Sequence, residues 1–105
     1  MHFVVLGTHS AEVCPTSNAT SRAMLLEIGP QIPKIAEKHN VTIVSGPWVN
    51  REHLTVTVCE TERAESLDAF LVESRLHQWN TLRIIPSQDM AEGMKEIAEG
   101  TTSLF

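Results

Sequence analysis

Three of the five histidines in this 105-residue chain fall beside expected strand ends, and two further metal-binding residue types lie close to one of them. His9 follows an apolar stretch, His53 opens a second stretch and His77 precedes a third. Glu12 and Cys14 come shortly after His9. Neutral imidazoles together with a carboxylate or a thiolate bind zinc, copper, iron or nickel. These residue types therefore indicate a divalent transition-metal site at His9, His53, His77 and Glu12, provided that the fold brings the segments together.

The same residues also support chemistry without a metal. An imidazole titrates near pH 6.5, which suits a general base, and His53 is the best candidate for that role. Cys14 lies in a polar loop, where an exposed thiol could act as a nucleophile, a redox sensor or a soft metal ligand. His9, Cys14 and His53 are therefore the candidate catalytic residues. Ordinary polar histidines and an unreactive loop thiol are the alternative.

Cationic, aromatic and hydroxyl side chains near the same strand ends are candidates for binding a substrate. Arg51 and Arg83 could hold an anionic group, since guanidinium pairs with carboxylate or phosphate through two hydrogen bonds. Trp48 and Trp79 could form the aromatic walls of a binding pocket. Thr55 lies two residues after His53 and therefore on the same side of the strand. For the arginines the alternative is a solvated surface charge, and for the tryptophans it is packing in a core or subunit interface.

Composition and charge exclude several classes of protein. Hydrophobic residues make up 42% and charged residues 20%, which is typical of one globular domain spanning 1–105. The net charge of −5 with scattered basic residues argues against nucleic acid as a partner. The apolar stretch 3–6 is too short for a signal peptide or membrane span, so the expected location is cytoplasmic and no membrane partner is expected.

Hydrophobic periodicity predicts four strands and three helices. A long polar loop over 10–21 follows the first strand. The last helix is expected to end at the Gly100-Thr101-Thr102 sequence, since glycine favours helix termination. The first helix should bend at Gly29-Pro30 and Pro33. The predicted elements are strands over 2–8, 41–49, 52–59 and 81–86 and helices over 20–39, 62–75 and 88–99.

This order predicts an α+β domain of the ferredoxin-like β-α-β-β-α-β type with an extra C-terminal helix. Right-handed crossovers give a four-stranded antiparallel sheet in the order 4-1-3-2, with the helices on one face. The end of strand one then lies beside the start of strand three and the approach to strand four. Since neighbouring strands are about 4.8 Å apart, His9, His53 and His77 become neighbours along one rim.

The layout and three sequence stretches resemble the dimeric α/β-barrel superfamily. These stretches are EHLTVTVCE, FLVESRLHQWNTLRIIPS and the short amphipathic C-terminal helix. Members of that superfamily pair two sheets into a barrel, and they include proteins like antibiotic-biosynthesis monooxygenases and muconolactone isomerases. The resemblance implies a homodimer with oxygenase-like or isomerase-like activity.

A homodimer also follows from the sheet itself, because helices on one face leave the other face bare. The alternation in strand three predicts that His53, Thr55 and Thr57 point toward this bare face, where two copies would enclose a semi-polar pocket. We therefore expect a homodimer that binds a small molecule between its sheet and its first loop, with the enzyme interpretation preferred. The alternatives are a non-catalytic module that binds a metal or a metabolite, and a cofactor-free enzyme with a histidine base.

Overall fold

The computed structural model describes residues 1–100 and shows a four-stranded sheet with helices packed on one side. The elements follow the predicted order with small shifts at their ends. They are β1 (His2–Thr8), α1 (Ala19–Ile28), α2 (Ile32–Lys38), β2 (Thr42–Trp48), β3 (Leu54–Glu60), α3 (Ala64–Glu73), β4 (Thr81–Ser87) and α4 (Met90–Glu99). Two short 3-10 turns, Gly29–Gln31 and Leu76–Gln78, complete the order.

Local sequence explains where the helices begin and end. The side chain of Asn18 caps α1 by accepting a hydrogen bond from Ser21 N at 2.9 Å, and Asp89 caps α4 in the same way. The predicted bend in the first helix is present, since the 3-10 turn with Pro30 near its start separates α1 from α2. Gly100 ends α4 at a φ of 68°, a conformation that glycine adopts without strain. Thr101 and Thr102 lie outside the described residues.

The strands form one antiparallel sheet in the order β2-β3-β1-β4. Counted from the β4 edge, this is 4-1-3-2. Its register pairs Val5 of β1 with Thr57 of β3 and with Ile84 of β4. The α+β class and the four-stranded antiparallel sheet are therefore confirmed. At one rim, Thr8 at the end of β1 lies opposite Leu54 at the start of β3 and Thr81 at the start of β4.

The hydrophobic core lies between the sheet and the first three helices. Phe3 and Val5 of β1, Cys59 of β3 and Leu67 of α3 are all buried there. Because directly paired residues point to the same face, Thr55 and Thr57 also face the helices, being paired with Gly7 and Val5. The expectation that these threonines line the bare face is therefore wrong.

The open face of the sheet has an apolar centre, with polar residues such as Arg83, His2 and Glu60 around it. Val4 of β1 lies opposite Val58 of β3 and Ile85 of β4, and Leu6 lies opposite Val56. All five side chains are only half-buried. The sequence correctly predicted the alternation of side chains along β3. The apolar residues of β3 face away from the helices, however, because Cys59 and the threonines lie on the side that faces the core. We use "open face" for the side of the sheet that carries these five residues, Leu54 and Trp48.

Candidate functional site

The rim at the end of β1 brings His9 and His53 into direct contact. Each residue lies one position beyond the paired residues Thr8 and Leu54. The backbone N–H of His9 donates to the carbonyl of His53 at 3.3 Å, which extends the ladder by one residue. Their ring centroids lie 5.3 Å apart in an edge-to-face arrangement. Two imidazoles are therefore held side by side by the antiparallel pairing itself.

The turn before β3 fixes the backbone of His53. The side-chain oxygen of Asn50 accepts hydrogen bonds from Glu52 N at 3.0 Å and from Leu54 N at 3.3 Å. Its amide donates to the Leu54 carbonyl at 2.8 Å. These bonds hold His53 at a φ of 56°, in the left-handed region that non-glycine residues adopt at a cost of about 1–2 kcal/mol. Strain of this kind is often found at functional sites.

The loop between β1 and α1 places Cys14 over the two histidines. Asn18 donates through its side-chain amide to Glu12 O at 3.0 Å, and its backbone N–H donates to Cys14 O at 2.8 Å. The guanidinium of Arg22 donates to Pro15 O at 2.9 Å and to Thr16 O at 3.1 Å. The loop is therefore fixed on both sides of the cysteine, which is only 7% exposed.

The protonation pattern of the His9 ring follows from Asn80. The amide nitrogen of Asn80 donates to Leu76 O at 3.0 Å, which leaves its side-chain oxygen facing Nδ1 of His9 at 2.9 Å. Nδ1 must then carry the proton, so Nε2 of the neutral ring keeps its lone pair. Nε2 is buried and has no hydrogen-bond partner among the described residues. Such an atom is free to accept a proton or bind a metal ion.

Two further residues confine the His9 ring. The indole of Trp79 lies against it, with ring centroids 5.0 Å apart. Gly7, next to Asn80, leaves space for the Thr55 side chain, since a Cβ on Gly7 would lie only 2.5 Å from Thr55 Oγ1. The close approach of these groups therefore requires glycine at position 7.

The environment of Cys14 favours its thiolate. The hydroxyl of Thr16 lies 3.0 Å from Sγ, and this hydrogen bond is the largest cause that lowers the pKa of Cys14 to about 6. The Thr16 backbone, His9 and His53 lower it further, while burial opposes them. Burial instead raises the pKa of Cys59, at the far end of the sheet, to about 11. Both cysteines are free thiols, as the sequence indicates, and only Cys14 has a reactive environment.

His9, Cys14 and His53 together form a compact group of candidate metal ligands. One ligand atom from each residue lies within 4.8 Å of the other two. Two imidazoles and a thiolate are a donor set for zinc or copper, and the same groups can combine a nucleophile with a base. We call these three residues the rim triad.

The other predicted metal ligands lie outside the rim triad. His77 is exposed in the 3-10 turn, whereas Trp79 and Asn80 of the same segment contact His9. Glu12 is exposed and contributes its backbone carbonyl to Asn18. The segment before β4 does reach the rim as predicted, but the turn leaves its histidine at the surface.

The candidate substrate-binding residues divide between the two faces of the sheet. Trp79 lies at the rim triad, and Thr55 lies next to Gly7 on the helix-covered face. Trp48 is 65% exposed and pairs with Val56, so it belongs to the open face. Arg83 is exposed and lies opposite Leu6, also on that face, and Arg51 is exposed in the turn before β3.

Sequence reasoning did not identify Asn80 or Thr16. Asn80 immediately precedes β4, at the rim where the topology places His9. Its position in the sequence could therefore have indicated that it lies near His9. Thr16 lies two residues after Cys14, a spacing at which hydroxyl side chains in turns reach neighbouring groups. Neither signal distinguishes these residues from the other polar residues nearby.

Two surface depressions lie at the opposite end of the sheet from the rim triad. One of about 620 Å³ is lined by residues between Pro33 and Ile43, and one of about 430 Å³ lies near Met1 and Glu60. Neither depression is lined by a cysteine or a histidine. Among residues 1–100, no helix is both long and apolar enough to cross a membrane.

No family model matches the chain, and no curated protein matches it. The chemistry of the rim triad is therefore the basis for assigning a function.

Proposed function

We propose that this chain is a transition-metal protein that binds a small molecule at a metal ion held by His9, Cys14 and His53. The observation that supports it is the clustering of three ligand atoms within 4.8 Å of one another. Zn–N and Zn–S bonds of about 2.0–2.3 Å place ligand atoms about 3.3–3.8 Å apart in a tetrahedral site. Movements of about 1 Å or less in each side chain would close the site around an ion.

The surroundings of His9 match those of metal-binding histidines. Such residues usually donate their second ring N–H to a carboxylate, a carbonyl or water, which fixes the ring and its tautomer. Asn80 accepts this hydrogen bond from Nδ1 at 2.9 Å, and the buried Nε2 remains available. Two imidazoles and one thiolate suit Zn²⁺, and three protein ligands leave a fourth position for water or a substrate.

A zinc ion would act in this site as a Lewis acid that polarises a carbonyl group on the bound molecule. This chemistry fits the isomerase-like alternative better than the oxygenase-like one, because Zn²⁺ undergoes no redox change. The alternative function, a non-catalytic module that binds a metal or a metabolite, would use the same three residues as metal ligands.

Cobalt titration of purified, chelator-treated protein tests the proposal. The wild type should bind one Co²⁺ per chain with a thiolate-to-cobalt charge-transfer band. Cys14→Ser should lose that band and bind cobalt at least about 10-fold more weakly, since a hydroxyl is a poor substitute for a thiolate. His77→Ala and Cys59→Ala are matched controls that should behave like the wild type. Equal binding and equal spectra in wild type and Cys14→Ser would refute the site.

We also propose that the open face is the interface of a homodimer, as the resemblance to dimeric α/β-barrel proteins implies. Four strands of seven residues span roughly 23 by 19 Å, or about 400 Å². The half-buried apolar side chains at the centre of this area form an exposed patch, and the largest apolar patch on a protein surface is often functional. Met90, Met94 and Ile97 of α4 add a further exposed apolar surface. A second copy presents the same face, and symmetric dimers are the commonest way to cover one.

A charge in the middle of the open face should separate the two copies. In Val58→Glu, a carboxylate would be buried without a partner, at a cost of several kcal/mol. Sedimentation at micromolar concentration should give about twice 11.7 kDa for the wild type and a single-chain mass for the variant. Leu26→Glu is the control, because Leu26 is 71% exposed on α1 and should leave the dimer intact. A wild-type monomer under these conditions would exclude the dimer.

A further inference from the structure

We infer that the metal-free chain has a second activity, in which Cys14 attacks small acyl compounds with His9 as its base and Asn80 as the residue that positions His9. This inference uses the same rim triad as the proposed function, but it does not require that a metal ever binds. The ligand class is an activated ester or thioester with a small acyl group. The small exposed fraction of Cys14 restricts the site to such compounds.

The three residues have the arrangement that an activated thiol requires: a nucleophile, a base close to it and a third group that orients the base. The His9 ring nitrogen available to the thiol is Nε2, because Nδ1 is bonded to Asn80, and a ring nitrogen of His9 lies within 4.8 Å of the Cys14 sulfur. Asn80 is itself held by its bond to Leu76 O, so its oxygen stays directed at His9. The base is therefore oriented through two successive hydrogen bonds.

Other contacts around the sulfur favour attack. The Thr16 hydroxyl at 3.0 Å can donate to the thiolate once the proton has left. The His9 ring is confined by Trp79, with centroids 5.0 Å apart, and by the neighbouring His53 ring. These contacts keep Nε2 in place while it takes the thiol proton.

The reaction balances with water as the only co-reactant. His9 Nε2 takes the thiol proton, and the sulfur forms a bond to the acyl carbon. The bond from that carbon to the leaving oxygen of an ester, or to the leaving sulfur of a thioester, breaks, and the leaving group departs with the electron pair. His9 then loses its extra proton to solvent. Water attacks the thioester while His9 takes its proton, the C–S bond breaks and the thiolate regains a proton, which releases a carboxylic acid.

A bound metal ion would prevent this reaction, because one thiolate cannot both coordinate the ion and attack an acyl carbon. Occupancy of the rim triad by metal would then switch the thiol activity off. The two functions therefore exclude each other in any one molecule, although the metal-free reaction can be measured by itself.

The test uses p-nitrophenyl acetate with the full chain in the presence of a chelator. The wild type should release one nitrophenolate per chain in a burst and gain one acetyl group at Cys14, located by peptide mass analysis. At pH 5, where Cys14 is still mainly a thiol, His9→Gln should slow the burst about 100-fold, the lower range of general-base contributions. Cys14→Ser should give no burst, while Cys59→Ala and His77→Gln should match the wild type.

The role of Asn80 is tested by separating the rate of the burst from its size. Asn80→Leu should slow the burst about 10-fold but leave its amplitude at one per chain, whereas misfolding would reduce the amplitude. Asn80→Asp keeps an acceptor for His9 Nδ1 and should restore the rate. A burst that persists in Cys14→Ser, an unchanged rate in His9→Gln, or no burst in folded wild type would overturn the inference.

Cobalt titration of the same preparations keeps this inference separate from the proposed function. A burst without cobalt binding would refute the metal site and leave the thiol activity standing. Cobalt binding without a burst would refute the thiol activity alone. If both hold, one equivalent of Zn²⁺ should abolish the burst.

Discussion

Replacing His53 with glycine is expected to abolish tight metal binding without destabilising the fold. His53 sits at a φ of 56°, where a side chain costs about 1–2 kcal/mol and glycine costs nothing. Relief of this strain would stabilise the folded state. The greater conformational freedom of glycine in the unfolded chain offsets about 0.5–1 kcal/mol of that stabilisation. The free energy of unfolding of the metal-free protein should therefore stay the same or rise by up to about 1.5 kcal/mol.

Metal affinity in His53→Gly should fall by more than about 100-fold, since loss of an outer-shell partner alone costs 10- to 100-fold. Denaturant unfolding in chelator and Zn²⁺ competition measure the two effects separately. Arg75→Gly is the matched control, because Arg75 has a φ of 60° and is not part of the rim triad. It should show the same change in stability with unchanged metal affinity. Full metal affinity in His53→Gly would remove His53 from the ligand set.

Alkylation of the metal-free protein should occur almost exclusively at Cys14. With pKa values of about 6 and about 11, the thiolate fractions of Cys14 and Cys59 at pH 7 differ by about 10⁴. The lower intrinsic nucleophilicity of the more acidic thiolate offsets about 10² of this difference. Cys59 is also only 1% exposed, which slows it further. Iodoacetamide should therefore label Cys14 at least about 100-fold faster.

The pH dependence identifies the cause of this selectivity. The rate at Cys14 should rise through pH 6 and level off near pH 8, because its pKa is lowered chiefly by the Thr16 hydroxyl. Thr16→Val removes that hydroxyl and should shift the midpoint upward, whereas Thr20→Val on the exposed side of α1 should not. An unchanged midpoint in Thr16→Val would show that Thr16 does not stabilise the thiolate.

The proximity of His9 and His53 could be predicted from the sequence because it depends only on strand order and direction. Once β1 and β3 are antiparallel neighbours, residues just beyond their paired ends must be adjacent, and His9 N bonds to His53 O. The alternation of Leu54, Val56 and Val58 was likewise readable, since side chains along a strand alternate between faces. The alternating pattern alone could not show which set of β3 residues faces the core, because both sets contain residue types that occur in protein cores.

The four strands, the helices and the rim at which His9 and His53 meet follow from patterns in the amino-acid sequence. The third member of the site follows from contacts that form only in the folded chain. Cys14 reaches the histidines through loop hydrogen bonds from Asn18 and Arg22, and the turn before β4 directs Asn80 rather than His77 to His9. Strand pairing follows from periodic patterns that span many residues. The direction of one side chain in a loop or turn instead depends on individual hydrogen bonds between segments distant in sequence, for which no periodic signal exists.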